Sequence, residues 1–191
     1  MSLQIILVRH GEDADNARHI INGHRQTSLT PRGQKQAQEA AQKIKKEKID
    51  VFYSSPLKRA QETAQIIEKI IIKPLFKIQP LLIERDFGIL TGKEAALFSQ
   101  YASHFLTSPS GVKFFWGVKK EESFSSLMKR AQKLIFFLKK EHSHQKILLV
   151  GHMEINLMIE ASLHKETSWR RALKRFRPMK NGEVRLLSSG F

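Results

Sequence analysis

The sequence predicts an α/β fold: a three-layer, doubly wound, mostly parallel sheet with helices on both faces. Three observations predict it. Short apolar runs recur that read as buried strands, and between them lie longer stretches with apolar residues at three-and-four spacing. The two kinds alternate along the chain as β-α-β-α and then α-β-α, the pattern of a parallel sheet joined by right-handed crossovers.

Taken in order, the run over residues 3–8, with Ile5-Ile6-Leu7-Val8, is the first strand, and Gly11 stops it. Thr30-Pro31 reads as a helix N-cap followed by proline at the first helical position. Ala37, Ala40, Ala41 and Ile44 then share one face, which predicts a helix over 31–47. Val51-Phe52-Tyr53 is a second strand, and Ser55-Pro56 opens a helix whose Leu57, Ala60, Ala64, Ile67 and Ile71 form a core stripe. Phe124, Leu127, Ala131, Leu134 and Leu138 mark a third helix. It leads into a strand at 147–150, a helix from about Glu154 and a last strand at 184–187. Residues 95–120 fit no regular period. There Ser108-Pro109-Ser110-Gly111 precedes Phe114-Phe115-Trp116, and this stretch is expected to be a lid that selects substrate.

A chain of 191 residues fits one domain, 1–191, with 95–120 as an insert over the site. Without cysteine there is no disulfide framework, thiol nucleophile or thiolate metal site. No apolar run approaches the roughly 18–20 residues of a membrane span, so no membrane association is expected. The first residues lack the pattern of a secretory signal, and the expected location is the cytoplasm. The formal charge of +15 is concentrated in residues 43–48 and 165–180. It reads as solvated helical faces and not as a nucleic-acid site, since no basic groove interleaved with aromatics accompanies it.

The chemistry converges on two histidines. His10 follows the first strand and His152 follows Val150-Gly151, so two strands deliver imidazoles at equivalent carboxyl ends. If those strands are neighbours, both rings enter one crevice. Arg9 stands beside His10, Arg59 lies off the core stripe of its helix, and Glu84 follows Leu82-Ile83 in a loop. Two imidazoles, two arginines and a carboxylate make a set for phosphoryl transfer: nucleophile, anion clamp and general acid. The remaining histidines, His19, His24, His104, His142, His144 and His164, lack such company, and His142 and His144 read as a turn. Neither a metal nor another cofactor is expected.

Ordered blocks over residues 3–155 carry a resemblance. They are Arg9-His10-Gly11-Glu12 with Asn16 and Asn22-Gly23, then Leu29-Thr30-Pro31-Arg32-Gly33, Ser54-Ser55-Pro56-Leu57-Lys58-Arg59, Glu84-Arg85-Asp86-Phe87-Gly88, Glu122-Ser123 and Val150-Gly151-His152. The chain resembles the histidine phosphatase superfamily, which includes the cofactor-dependent phosphoglycerate mutases, and the resemblance implies a phosphoglycerate-mutase-like fold. It also implies that His10 becomes phosphorylated and that Arg9, Arg59 and His152 bind the transferred phosphoryl group. Glu84 is implied to protonate the leaving oxygen and then activate water. Asn16 is implied to contact phosphate or substrate, with Asn22, Gly23 and Met153 also at the phosphate site, Met153 through its peptide N–H.

Three departures bear on substrate. Met153-Glu154 stand where the family usually has small residues, Phe87 stands where mutases carry a tyrosine, and residues 97–120 offer Lys113, Lys119 and Lys120 with no arginine pair. Lysine neutralises a carboxylate but lacks the bidentate fork. The expectation is a metal-independent phosphomonoester hydrolase with a small phosphorylated substrate. The alternatives are a 2,3-bisphosphoglycerate-dependent mutase, or a basic nucleic-acid- or protein-binding module on the same scaffold.

Overall fold

A computed structural model describes residues 3–71 and 74–188. Its central sheet has the order β3-β2-β6-β1-β7, built from β1 (Gln4–Arg9), β2 (Val51–Ser54), β3 (Lys77–Ile78), β6 (Lys146–Gly151) and β7 (Val184–Ser188). All pairings are parallel except β1 with β7. On one face lie α2 (Pro31–Ile44) and α3 (Lys58–Ile71); on the other lie α5 (Phe124–Glu141) and α6 (Met153–Leu163).

Strand alternation makes these layers. Ile6, Val8, Leu148 and Val150 turn toward Ala40, Ala41, Ala60 and Ala64, whose small side chains let α2 and α3 pack closely. Ile5, Leu7, Ile147 and Leu149 turn the other way, toward Leu127, Leu134, Ile155 and Ile159. Burial of each such aliphatic side chain contributes about 1.5–3 kcal/mol relative to exposure, so the two central strands β1 and β6 are the best anchored. They carry Arg9 at their end and His152 immediately beyond it.

Several boundaries differ from expectation. Helix α2 stops at Ile44 and not at 47, because the next three residues, Lys45, Lys46 and Glu47, offer no apolar face. Helix α3 begins at Lys58, since Ser55 and Pro56 form the turn before it and the Ser55 hydroxyl accepts from Leu57 N–H. The short edge strand β3 escaped the sequence reading.

The stretch 95–120 is the main correction. It is not irregular: it holds α4 (Phe98–Tyr101) and an antiparallel pair, β4 (His104–Thr107) with β5 (Lys113–Trp116). Ser108-Pro109-Ser110-Gly111 is the hairpin turn, with Ser108 N–H bonded to Val112 O and Gly111 at φ +82°. Three consecutive aromatics hid the two-residue period, because both faces of β5 are covered. Phe114 enters the core beneath α5, while Phe115 joins Ile21, Phe87, Leu90 and Val118 on the opposite side.

The basic stretch 165–180 is helical only over α7 (Trp169–Arg175). Arg171 pairs there with Glu166, and Arg177 with Glu183. No helix among the described residues is long and apolar enough to cross a membrane.

Candidate active site

Parallel pairing of β1 with β6 sets Arg9 opposite Gly151 and places the two histidines side by side, ring centroids 4.9 Å apart. The chain leaves β1 under tight constraint. His10 N–H donates to Gly151 O, Gly11 N–H donates to the Thr63 hydroxyl, and a Cβ on Gly11 would sit 2.2 Å from Gly33 O. Only glycine permits that approach of the loop to the start of α2.

His10 Nδ1 lies 2.7 Å from Gly11 O, an acceptor only, so Nδ1 carries the proton and the Nε2 lone pair is left toward the cleft. Arg59 Nε donates to that Nε2 at 3.2 Å. Burial, together with the Arg59 and Arg9 charges, holds the His10 imidazole well below its usual 6.5, so the ring is neutral at neutral pH. The same causes depress His152, with His10 itself and Arg130 contributing. His152 Nε2 meets the Ser55 hydroxyl at 2.7 Å, and that hydroxyl oxygen already accepts from Leu57 N–H. The Ser55 O–H has no other acceptor among the described residues, and given to Nε2 it places the His152 proton on Nδ1, a buried atom with no partner among the described residues.

Arg59, 1% exposed, is clamped on every side: Nη1 to Asn22 Oδ1 and Arg25 O, Nη2 to Gly23 O, and Nε 3.3 Å from Asp13 Oδ2. Arg9 gives Nη1 to Met179 O and leaves Nε buried without a partner among the described residues. Burial lowers both guanidinium groups, opposed for Arg9 by Glu84 and Asp13 and for Arg59 by Asp13 and Glu84. Both remain cationic.

Glu84 sits at the amino end of α6, whose first turn is open because His152 occupies the N-cap without a side-chain cap bond. Its carboxyl oxygens accept from Glu154 N–H, Ile155 N–H and Arg85 N–H, donors that the open helix end supplies. The Glu84 carbonyl is held from outside by His24 Nε2 and Arg130 Nη2.

These groups line a cleft of about 160 Å³ with Asn16, Ile20, Ile21, Asn22, Gly23, Phe87, Lys113, Phe115, Met153 and Glu154. Arg9, His10, Arg59 and Glu84 thus meet in one place, and His152, fully buried, packs against the His10 ring. Asn22 and Gly23 line the cleft and also hold the clamp, since Asn22 bonds to Arg59, Asp13 and Thr27 and the Gly23 carbonyl accepts from Arg59. Of the aromatic and lysine residues expected in a lid, only Lys113 and Phe115 reach the cleft. Trp116 instead packs on Phe124 and Trp169.

Sequence reasoning missed several residues. Asp13 caps α1 (Ala14–Ala17) and meets Arg59, and Asn181 donates to His10 O and Asn16 Oδ1. Asp13 could have been sought as an N-cap just after the motif; Asn181, 171 residues from His10, leaves no local signal. His24, set aside from sequence, supports the Glu84 backbone. Glu154 begins α6 as expected, but it is buried against Arg85 at 2.5 Å, and Arg85 also reaches Glu121 Oε2 and Phe115 O. Burial, with Glu84 nearby, pushes the Glu154 carboxyl up to about 7 although Arg85 opposes it. Burial also works against the Arg85 cation, but Glu154 and Glu121 outweigh it and hold Arg85 above its usual value.

Comparison with known proteins follows the same lines. The model of the histidine phosphatase superfamily (branch 1) matches residues 5–188. A metal-independent phosphoserine phosphatase of Arabidopsis thaliana is 36% identical over 154 residues, 78% of this chain and 63% of that protein. Phosphoserine phosphatase 1 of Hydrogenobacter thermophilus is 32% identical over 154 residues, 78% of this chain and 71% of that protein. The matched chain thus spans somewhat under two thirds of the plant relative. Phosphoserine phosphatase of Entamoeba histolytica, solved with 3-phosphoglyceric acid, superposes with TM-score 0.73 at 27% identity, covering 96% of this chain and 89% of that one.

Proposed function

The chain belongs to the histidine phosphatase superfamily, and from that premise we propose that it hydrolyses small phosphomonoesters in two steps through a phosphohistidine at His10. The observation that carries this reading is the geometry of the His10 ring at the cleft: Gly11 O fixes its proton on Nδ1, so Nε2, to which Arg59 Nε donates at 3.2 Å, is the unprotonated nitrogen, and it attacks phosphorus by exchanging that hydrogen bond for the N–P bond. Such a ring is a nucleophile at neutral pH. The phosphoryl group is received by Arg9, Arg59, Asn16 and the Nδ1–H of His152; Arg9 Nε and His152 Nδ1, both buried and without a partner among the described residues, are donors that it satisfies. Arginines supply the charge that divalent metals supply elsewhere, and they are fixed in place before the reaction, which is how such sites lower a barrier. Glu84 gives its proton to the leaving oxygen and later takes one from water.

The alcohol end of the cleft is walled by Ile20, Ile21, Phe87, Phe115 and Met153, with Lys113 at its side. A cleft of about 160 Å³ walled by these apolar side chains suits a small phosphomonoester. The hairpin β4–β5 serves as the specificity wall through Lys113 and Phe115 within a single domain. Cytoplasmic location stays part of this proposal. The mutase alternative is weaker, since the cleft lining beyond the reacting groups brings one lysine and no arginine pair to read a substrate carboxylate. The binding-module alternative leaves the assembled nucleophile, clamp and acid without a use.

Turnover of a panel of phosphomonoesters, phosphoserine and phosphoglycerates among them, tests this with phosphate release and product isomers both measured. Phosphate release without isomer formation is expected; isomers from a phosphoglycerate would establish the mutase, and no turnover of any ester would refute an enzymatic role.

A further inference from the structure

Asp13 is fully buried beside the nucleophile, and capping α1 uses only half of it. Oδ1 accepts from Asp15 N–H and Asn16 N–H, each at 2.9 Å. A serine or asparagine would cap as well. Oδ2 turns instead into the site, 2.6 Å from Asn22 Nδ2, 3.3 Å from Arg59 Nε and 3.9 Å from His10 Nδ1. A buried carboxylate is expensive unless its charge has a partner. Arg59 is one partner at all times. The His10 ring is neutral at rest, so the 3.9 Å approach to Nδ1 becomes an ion pair only when the ring acquires charge.

We infer that Asp13 is a positioning residue that stabilises the phosphorylated state of His10 by placing a negative charge at the ring edge opposite the attacking nitrogen. This rests on the phosphohistidine reading above. In the first step the Nε2 lone pair forms the N–P bond while the P–O bond to the alcohol breaks, and the Glu84 proton goes to the leaving oxygen. The ring keeps its Nδ1 proton, hydrogen-bonded to Gly11 O, and becomes cationic. In the second step a water oxygen bonds to phosphorus as N–P breaks, one water proton goes to Glu84 and the ring is neutral again. Asp13 neither gains nor loses a proton. Its charge matters most in the intermediate, where the ring is fully cationic, and less in the two flanking transition states.

That ordering gives a signature which loss of packing cannot imitate. Asp13→Asn keeps the cap and removes the charge. Phosphorylation of His10 should slow about a hundredfold, the size of effect seen when one fixed electrostatic contact is removed. Hydrolysis of the phosphoenzyme should be unchanged or faster, so that less phosphohistidine accumulates. Rapid-quench measurement of both steps on the full chain reads this directly. If both steps slow by the same factor, Asp13 only holds Arg59, which grips the phosphoryl group in both transition states, and the inference falls; it falls equally if neither step changes. Should Asp13→Asn fold poorly because its amide meets that of Asn22, Asp13→Asn/Asn22→Asp restores the hydrogen bond with the charge moved away from His10, and the same signature is expected. Absence of phosphohistidine in the unaltered protein would instead overturn the proposed function itself.

Discussion

Replacing Arg85 by Met should destabilise the protein in a pH-dependent way. Arg85 has no solvent exposure, and its guanidinium bonds to Glu154, Glu121, Phe115 O and Glu122 O while lying 4.3–5.4 Å from the ring centres of Phe124, Phe87 and Phe115. Met fills part of the volume but strands the Glu154 carboxylate. Breaking a buried pair by removing one partner costs about 3–5 kcal/mol, and at about 2–4 °C per kcal/mol for a chain of this size the melting temperature should fall by about 6–20 °C. Glu154 has one escape, protonation. Its folded value is near 7, above the ordinary 4.5, so in the unaltered protein it is largely neutral at pH 6 and ionised at pH 8. Without Arg85 its value rises further and the carboxyl keeps its proton at pH 8. The variant then forgoes the ionisation that the parent gains as pH rises. Thermal melts at pH 6 and pH 8 should therefore show the larger loss at pH 8, and Glu154→Gln added to Arg85→Met should abolish that difference. Equal losses at both pH values, or an unchanged melting temperature, would refute the burial and pairing argument.

Turnover should survive EDTA, because Arg9 and Arg59 balance the phosphate charge; activity abolished by chelation and restored by a divalent ion would contradict this. Phe115→Ala should change the relative kcat/KM across substrates. Trp116→Ala, whose side chain packs on Phe124 and Trp169 away from the cleft, should cost about 2–3 kcal/mol, below the roughly 3–5 of a fully buried aromatic, with the substrate ranking kept. His10 and His152 have folded values well below 6.5, so the unfolded chain binds their protons first. Stability is therefore unaffected by these groups above pH 6.5 and falls as pH drops below it. Denaturant melts between pH 7 and 5 should show that slope, reduced in His10→Ala.

The two histidines were legible because each follows a continuous apolar strand, and continuous runs are what a parallel sheet buried on both faces requires. Arg59 was legible because it lies off the apolar stripe of α3. The β4–β5 hairpin was not, since Phe114, Phe115 and Trp116 find apolar surroundings on both sides and erase the alternation on which strand recognition depends. Arg85 with Glu154, Ser55 with His152 and Asn181 with His10 were also hidden. These partners lie 69, 97 and 171 residues apart in the chain, and only the folded sheet brings them together. Of the three lysines expected over the site, the hairpin brings Lys113 to the cleft, while Lys119 and Lys120, near it in sequence, do not line it.

The central claim is the covalent intermediate at His10, and trapping it is the most direct test. The protein is mixed with a turned-over phosphomonoester, quenched in base within milliseconds and mapped for phosphate. The account predicts one acid-labile, base-stable adduct, on His10, and its absence in His10→Ala together with loss of turnover. An adduct on another residue would contradict the account. So would a His10→Ala protein within about tenfold of the parent, because tenfold is only about 1.4 kcal/mol of barrier and the loss of a nucleophile should cost far more.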